Sequence, residues 1–304
     1  MKVIYVLLFF IMMFWGFNVS AIHTLVNHID PVILTAVRIM TAGVTVLIIT
    51  KLLNVFRLPK RSELWIILYV ALFNVVAHHM FVAIGLTYTS GINTGIILGF
   101  GPILTMVMSV MILYRKMTHL KVTGFLVGFL GVIFTTTLGS GSNFDFVLGD
   151  IIVFLSVATQ AYSFILISKV QPEFDPRLLT GYMMVIGASA MLIISFFLGD
   201  DITQLKQLFD PLLLLIFLYS AVICTAFGHM TYNLAIKRVG AAESAIFINL
   251  NTFFAVVGAA IFLGETIAYY HFIGFLLILL GVFLGTGAID ELLMRKQKDV
   301  NNSA

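Results

Sequence analysis

Long apolar runs broken at short polar intervals organise this chain. A bilayer core of about 30 Å is crossed by roughly 20 helical residues rising about 1.5 Å each. Ten runs approach that length: 3–23, 32–53, 64–86, 93–113, 122–139, 151–168, 178–198, 212–235, 243–263 and 272–289. Each is continuously apolar, whereas a membrane-barrel strand alternates in polarity over about ten residues. The pattern therefore predicts an all-α integral membrane protein with ten transmembrane helices. Between the runs stand helix stops and starts: Asp30-Pro31, Leu58-Pro59-Lys60, Gly139-Ser140-Gly141, Asp175-Pro176, Asp200-Asp201 and Asp210-Pro211. The opening run after Lys2 reads as a first span and not a cleaved leader, because it reaches Ala21 without a small-x-small cleavage site and further spans follow.

Composition settles the solvent. Hydrophobic residues make up 61% and charged residues 10%, with mean hydropathy +1.09, against about 25% charged in soluble domains. The net charge of +3 matters less than its placement. Of the 17 Lys and Arg, 15 fall at the termini or in alternate loops expected on one face, Lys206 stands alone on the other, and Arg38 lies inside the second run. Because cytoplasmic loops keep the basic excess, both termini are predicted to be cytoplasmic, with residues 291–304 a short polar cytoplasmic tail of a multi-pass plasma-membrane protein. The single cysteine, Cys224, excludes an intrachain disulfide framework and a multi-cysteine metal site; no cofactor or metal is expected.

The sequence repeats itself. Gly124-Phe125-Leu126 and Leu130-Gly131-Val132 recur 150 residues later as Gly274-Phe275-Leu276 and Leu280-Gly281-Val282, and Asp30-Pro31 with Leu34-Thr35 recurs 145 residues later as Asp175-Pro176 with Leu179-Thr180. The expected halves are residues 1–140 and 141–290, five helices each. An odd count inserts the second half upside down. Loop charge agrees: Tyr88-Thr89 corresponds to Lys237-Arg238, and Arg115-Lys116 to Glu265-Thr266. Inverted repeats recur in secondary transporters, with the substrate site near the midplane between halves.

Several stretches resemble one family, the drug/metabolite transporter superfamily in its EamA-type ten-helix form, over about residues 3–289. The likeness rests on Trp15-Gly16-Phe17-Asn18 in the first helix, Arg38 in the second, Tyr88-Thr89-Ser90 leading to Pro102, then Gly240-Ala241-Ala242, Leu263-Gly264-Glu265 and the Gly274 to Gly281 helix. Two departures stand out: Tyr114-Arg115 replaces the Gly-Glu expected after the fourth helix, and Thr252 replaces a proline, which leaves the ninth helix less readily kinked. The resemblance implies a central cavity surrounded by helices one to four and six to nine, and export as the commoner direction of transport.

Polar residues at mid-bilayer are costly and should face protein or water. Those selected as substrate-binding candidates are Asn18, Asn74, His78, Gln160, Asn249 and Thr252, with Ser163 and Asn251 beside them and Trp15 and Tyr162 as aromatic neighbours. Interhelical amide bonds are the competing reading for each. His78 and His79 point about 100° apart on a helix, so one of them can be central; His78 is nearer the middle and titrates near pH 6.5 in its unperturbed state, which makes a proton the candidate coupling ion. Arg38, about seven residues past Pro31, has a stem long enough to snorkel outward and is expected either to receive a substrate carboxylate or to bond only to carbonyls and water. Gly99, Gly101 and Pro102 form a weak point in the fourth helix, a hinge or a packing contact. The glycines of helices five and ten read as contact faces.

No His-Glu-x-x-His, Gly-x-Ser-x-Gly or phosphate-loop motif is present and no carboxylate pair lies within the spans, so an enzyme is disfavoured and a primary ATP-driven pump is excluded for the chain alone. The expected partners are a small-molecule substrate and the lipid bilayer, with no nucleic acid; oligomeric state is left open. A cavity of amides, aromatics and one arginine suits neutral or zwitterionic metabolites such as amino acids. The reading is a secondary transporter working by alternating access, with a facilitator or channel as the alternative, and a membrane-embedded enzyme or sensor behind it.

Overall fold

The computed structural model describes residues 2–86, 88–89, 91–137, 147–171, 173–264 and 266–286. Gly139-Ser140-Gly141, the expected boundary between halves, Glu265 and the tail from residue 291 lie outside the described residues. In chain order the helices are α1 (Lys2–Val26), α2 (Pro31–Leu52), α3 (Arg61–Val70), α4 (His78–Leu86), α5 (Gly91–Gly99), α6 (Gly101–Leu113) and α7 (His119–Thr137), then α8 (Leu148–Ser168), α9 (Pro176–Leu198), α10 (Pro211–Leu218), α11 (Gly228–Val239), α12 (Ala241–Ala245), α13 (Ile248–Leu263) and α14 (Tyr269–Gly285). A π-helical segment, Ala71–Ala77, joins α3 to α4; a second, Tyr219–Phe227, joins α10 to α11; a 3-10 segment, Ile202–Phe209, precedes α10. Among the described residues there is no strand.

Counted as continuous stretches, eight helices are long and apolar enough to cross a membrane, from Val3–Val26 to Ala241–Leu263, while His119–Thr135 and Tyr269–Gly285 form two shorter apolar helices. Four spans differ from the simple rods expected. Run 64–86 and run 212–235 each contain a π segment, and the second continues to Val239. Run 93–113 is interrupted at Phe100, between α5 and α6. The ninth span is broken too, although Thr252 replaces the proline. It turns at Ile246 and Phe247, where Asn249 N–H reaches Ile246 O at 3.4 Å and Leu250 N–H reaches Phe247 O at 2.9 Å, three-residue closures that tighten the helix without proline.

Helix starts follow local chemistry. In α9 and α10 an aspartate caps a helix whose first residue is proline: Asp175 accepts from Arg177 N–H, and Asp210 accepts from Leu212 and Leu213 N–H. Side-chain oxygen satisfies the otherwise orphaned first-turn amides, and proline loses no bond there. Asp30-Pro31 begins α2 without such a side-chain cap. Its carboxylate instead accepts from Asp201 N–H at 3.0 Å, and its own N–H donates to Gln204 Oε1 at 2.6 Å.

The most extensive helix pairings are α7 with α14, α2 with α9, α1 with α13 and α4 with α8. Fully buried Leu8, Met12, Val46, Val70, Phe125, Met183 and Ile278 fill the interior between them. The α7–α14 contact is a backbone-to-backbone approach: a methyl on Gly281 would lie 2.5 Å from Gly128 Cα, so only glycine lets these helices touch. Charge separates along the bundle. At one end Arg57 pairs with Glu63 at 2.5 Å, Arg177 with Asp175 at 2.6 Å and Lys121 with Glu243 at 2.8 Å. There the Glu63 carboxylate bonded to Arg57 raises the guanidinium above its ordinary value, and Arg57 lies 5.2 Å over the Phe174 ring. At the other end Asp30, Asp200, Asp201 and Gln204 clasp the start of α2, with Ile33 N–H donating to Asp200 at 3.0 Å.

Candidate functional site

The sequence-selected residues divide into three places. The first lies between the π segment Ala71–Ala77, α4 and α8. Asn74 Nδ2 donates to Ser163 Oγ at 2.8 Å. His78, 8% exposed, sits 2.7 Å from Ser156 Oγ through Nδ1 and 3.0 Å from Gln160 Nε2 through Nε2. With the Gln160 amide donating to Nε2, the His78 proton resides on Nδ1 and is given to Ser156, the neutral tautomer. Tyr162 turns the other way and packs edge-on against Phe73 at 5.0 Å. This cluster is a closed chain of hydrogen bonds joining helices.

The second place centres on the other π segment. Trp15 Nε1 donates to Cys224 O at 2.7 Å, a carbonyl inside Tyr219–Phe227, and its ring lies 4.8 Å from His229 and 5.3 Å from Tyr232. The π geometry widens the helix and frees carbonyls from their usual partners. Gly228 lets the indole approach: a methyl there would overlap Trp15 Nε1. Arg38 does not snorkel outward. It is 7% exposed and its Nη1 donates to Thr225 Oγ1 at 2.7 Å, while Thr225 donates in turn to Ser220 O at 2.7 Å. None of the ion pairs among the described residues involves Arg38.

The remaining candidates stand apart. Asn249, 1% exposed, lies on α13 against Gly128 of α7, and both its amide atoms are buried without a partner. Thr252, one turn further along α13, is half-buried. Asn18 on α1 is 7% exposed with its oxygen unpartnered. Gly99 closes α5 against Val132, and Gly101 and Pro102 open α6. A cavity of about 380 Å³ takes none of these residues as lining. It opens at the basic end, walled by Ser109, Arg115, Ser168, Lys237, Arg238 and Glu243 among others. The sequence matches His229 to His79 in the repeat, which hints at a paired structural role, but does not select it for the site; Tyr232 and Thr225 carried no signal, because proximity to Trp15 or Arg38 arises only on folding.

An all-helical apolar bundle with eight helices long and apolar enough to cross a membrane defines a multi-pass membrane protein. The chain belongs to the EamA-like transporter family, whose pattern matches residues 2–137 and again 147–286. Its relatives include the protein described as uncharacterized transporter YyaM of Bacillus subtilis (strain 168), 27% identical and aligned over 94% of both chains. A protein of Archaeoglobus fulgidus, also described as an uncharacterized transporter, is 24% identical over 89% of this chain and 94% of its own. The WAT1-related protein At3g02690, chloroplastic, of Arabidopsis thaliana is 23% identical over 89% of this chain and 66% of its own. A solved crystal structure shares the fold with a TM-score of 0.74 at 15% identity, covering 96% of this chain and 97% of its own.

Proposed function

We propose that the protein is a secondary carrier that moves a small neutral or zwitterionic organic metabolite, such as an amino acid, out across the plasma membrane by alternating access. In this reading α7 and α14 complete ten spans, the two halves are inverted five-helix repeats, and both termini are cytoplasmic. One observation carries it: the irregularities come in matched pairs. The π segments Ala71–Ala77 and Tyr219–Phe227 fall at the same place in each half, and the break at Phe100 and the break at Ile246–Phe247 fall within about one helical turn of matching positions. Interrupted helices at corresponding positions mark the substrate site of inverted-repeat transporters.

Helix pairing supports the same reading. α7 packs on its own counterpart α14, and α2 on its counterpart α9; α1 packs on α13 as α8 does on α6. Such reciprocity is what a twofold axis in the membrane plane produces. Trp15, Asn18, Arg38, Asn74, His78, Gln160, Tyr162, Asn249 and Thr252 remain the proposed substrate-facing set. Gly99, Gly101 and Pro102 are the proposed hinge, and His78 is the proposed proton carrier.

The test has two arms. Single cysteines replacing Tyr88 and Lys237 in a Cys224→Ser background should react with an impermeant thiol reagent from opposite sides of the membrane, and reaction from one side removes the inverted repeat. Purified protein in liposomes preloaded with an unlabelled amino-acid mixture should accumulate labelled amino acids by counterflow that saturates. Flux linear in concentration would instead indicate a channel, and no flux for any amino acid would reject the carrier reading for that class.

A further inference from the structure

Arg38 is a buried cation that makes no ion pair among the described residues. Its helix α2 packs chiefly on α9 and on the π segment Tyr219–Phe227. Neither Pro31–Leu52, Pro176–Leu198 nor Tyr219–Phe227 contains an aspartate or glutamate, and α1, α4 and α11 contain none either. A lone charge held inside a bundle is expensive unless something compensates it. The hydrogen bond described for the guanidinium goes from Nη1 to Thr225 Oγ1 at 2.7 Å, which pins one side and leaves the edge formed by Nε and Nη2. Two parallel N–H groups on that edge match the two oxygens of a carboxylate. One residue before Thr225, the Cys224 carbonyl accepts from Trp15 Nε1 at 2.7 Å, and the Trp15 ring is flanked by His229 and Tyr232 at 4.8 and 5.3 Å, whose Nδ1 and hydroxyl are both buried with no hydrogen-bond partner. Unpaired buried polar atoms on the same π-segment wall as an unpaired guanidinium are groups that an anionic, hydrogen-bonding ligand would satisfy.

We infer that Arg38, presented by Thr225 on the π segment, is the receptor for the carboxylate of the transported solute, with His229 and Tyr232 bonding its polar groups and Trp15 forming the wall against its apolar part. This rests on the carrier reading above and narrows it to solutes bearing one carboxylate. A monoanion balances one guanidinium, whereas a dianionic phosphate would leave a surplus charge buried. The π segment explains how the receptor is held. Thr225 bonds back to Ser220 O at 2.7 Å and Trp15 holds Cys224 O at 2.7 Å, so a shift of this segment moves the arginine partner and the aromatic wall together.

The experiment uses the two tryptophans of the chain. Trp65 is 68% exposed on the surface, so Trp65→Phe leaves Trp15 as sole reporter. Purified protein is titrated with acid and amide pairs: acetate, pyruvate, lactate, benzoate, L-leucine and L-phenylalanine, each against its carboxamide. At least one acid should change Trp15 fluorescence saturably, its amide should bind at least about tenfold more weakly, and Arg38→Gln should erase that preference. Should Arg38→Gln fail to fold, Arg38→Lys keeps the charge without the fork and should weaken acid binding by a similar factor. Equal binding of acid and amide, no response to any acid, or full acid binding by either variant would overturn the receptor. Counterflow separates the two claims: acid binding without exchange keeps the receptor and refutes the carrier, while exchange unchanged in Arg38→Gln refutes the receptor and keeps the carrier.

Discussion

Tyr114 ends α6 in the left-handed conformation, with φ 54° and ψ 32°, and its N–H closes on Ser109 O. Its counterpart 150 residues on is Gly264, which ends α13 with φ 75° and ψ 17° and closes on Ala259 O. The same cap is thus made once by a residue that tolerates positive φ and once by one that pays for it, roughly 1–2 kcal/mol for an L-residue. The side chain offers little compensation within the protein, since Tyr114 is 87% exposed. Tyr114→Gly removes the strain but also removes a ring that can anchor at a membrane interface, so Tyr114→Ala is the control: it loses the ring and keeps the strain. Glycine should exceed alanine at this position by about 1 kcal/mol, the reverse of the roughly 0.5–1 kcal/mol by which alanine is favoured inside a helix. At the mirror position Gly264→Ala should cost about the same, because nothing lies within 4 Å of the added methyl to clash or to pack. Thermal or denaturant unfolding of purified protein in detergent measures all three variants. Alanine equal to or better than glycine at both positions would refute the argument.

Gly281→Ala should destabilise by about 1–3 kcal/mol, as overpacking does. The methyl meets Gly128 backbone at 2.5 Å, which can yield only by parting α7 from α14; an unchanged unfolding midpoint would show that the helices do not touch there. Asp175 gives a pH dependence. Burial pushes its carboxyl up, but hydrogen bonds from the Arg177 side chain and amide outweigh this and hold it below its ordinary value. Its contribution is therefore complete above the unfolded value of about 3.9 and is lost as pH falls through the lower folded value. Asp175→Asn, which keeps a capping oxygen, should unfold earlier than wild type at neutral pH and converge with it in acid; a gap independent of pH would contradict this.

Much of the architecture was legible because lipid imposes simple rules. Satisfying every backbone group internally forces helices, bilayer thickness sets their length, and the Asp-Pro pairs at 175 and 210 carry their own helix starts in the residues themselves. The glycines at 124, 128, 131, 274 and 281 announced helix contacts, and the structure sets Gly128 against Gly281. Irregular backbone was harder to read. Phe100 lies beside a visible Gly-Pro signal, but the turn at Ile246–Phe247 and both π segments occur in ordinary apolar sequence, where the choice between four- and five-residue bonding is decided by what packs alongside.

The amino-acid order by itself determined a bundle of apolar helices, an internal sequence repeat and the crowding of basic residues into alternate loops, because hydropathy, charge and repetition are properties of neighbours along the chain. Folding alone decided which polar residues meet. Asn74, His78, Gln160 and Ser163 close upon one another, whereas Arg38 turns inward to Thr225, 187 positions away, and makes no ion pair among the described residues. Such meetings depend on how helices distant in sequence rotate and pack, and a side chain buried against one of them finds its partner only when the third dimension is set.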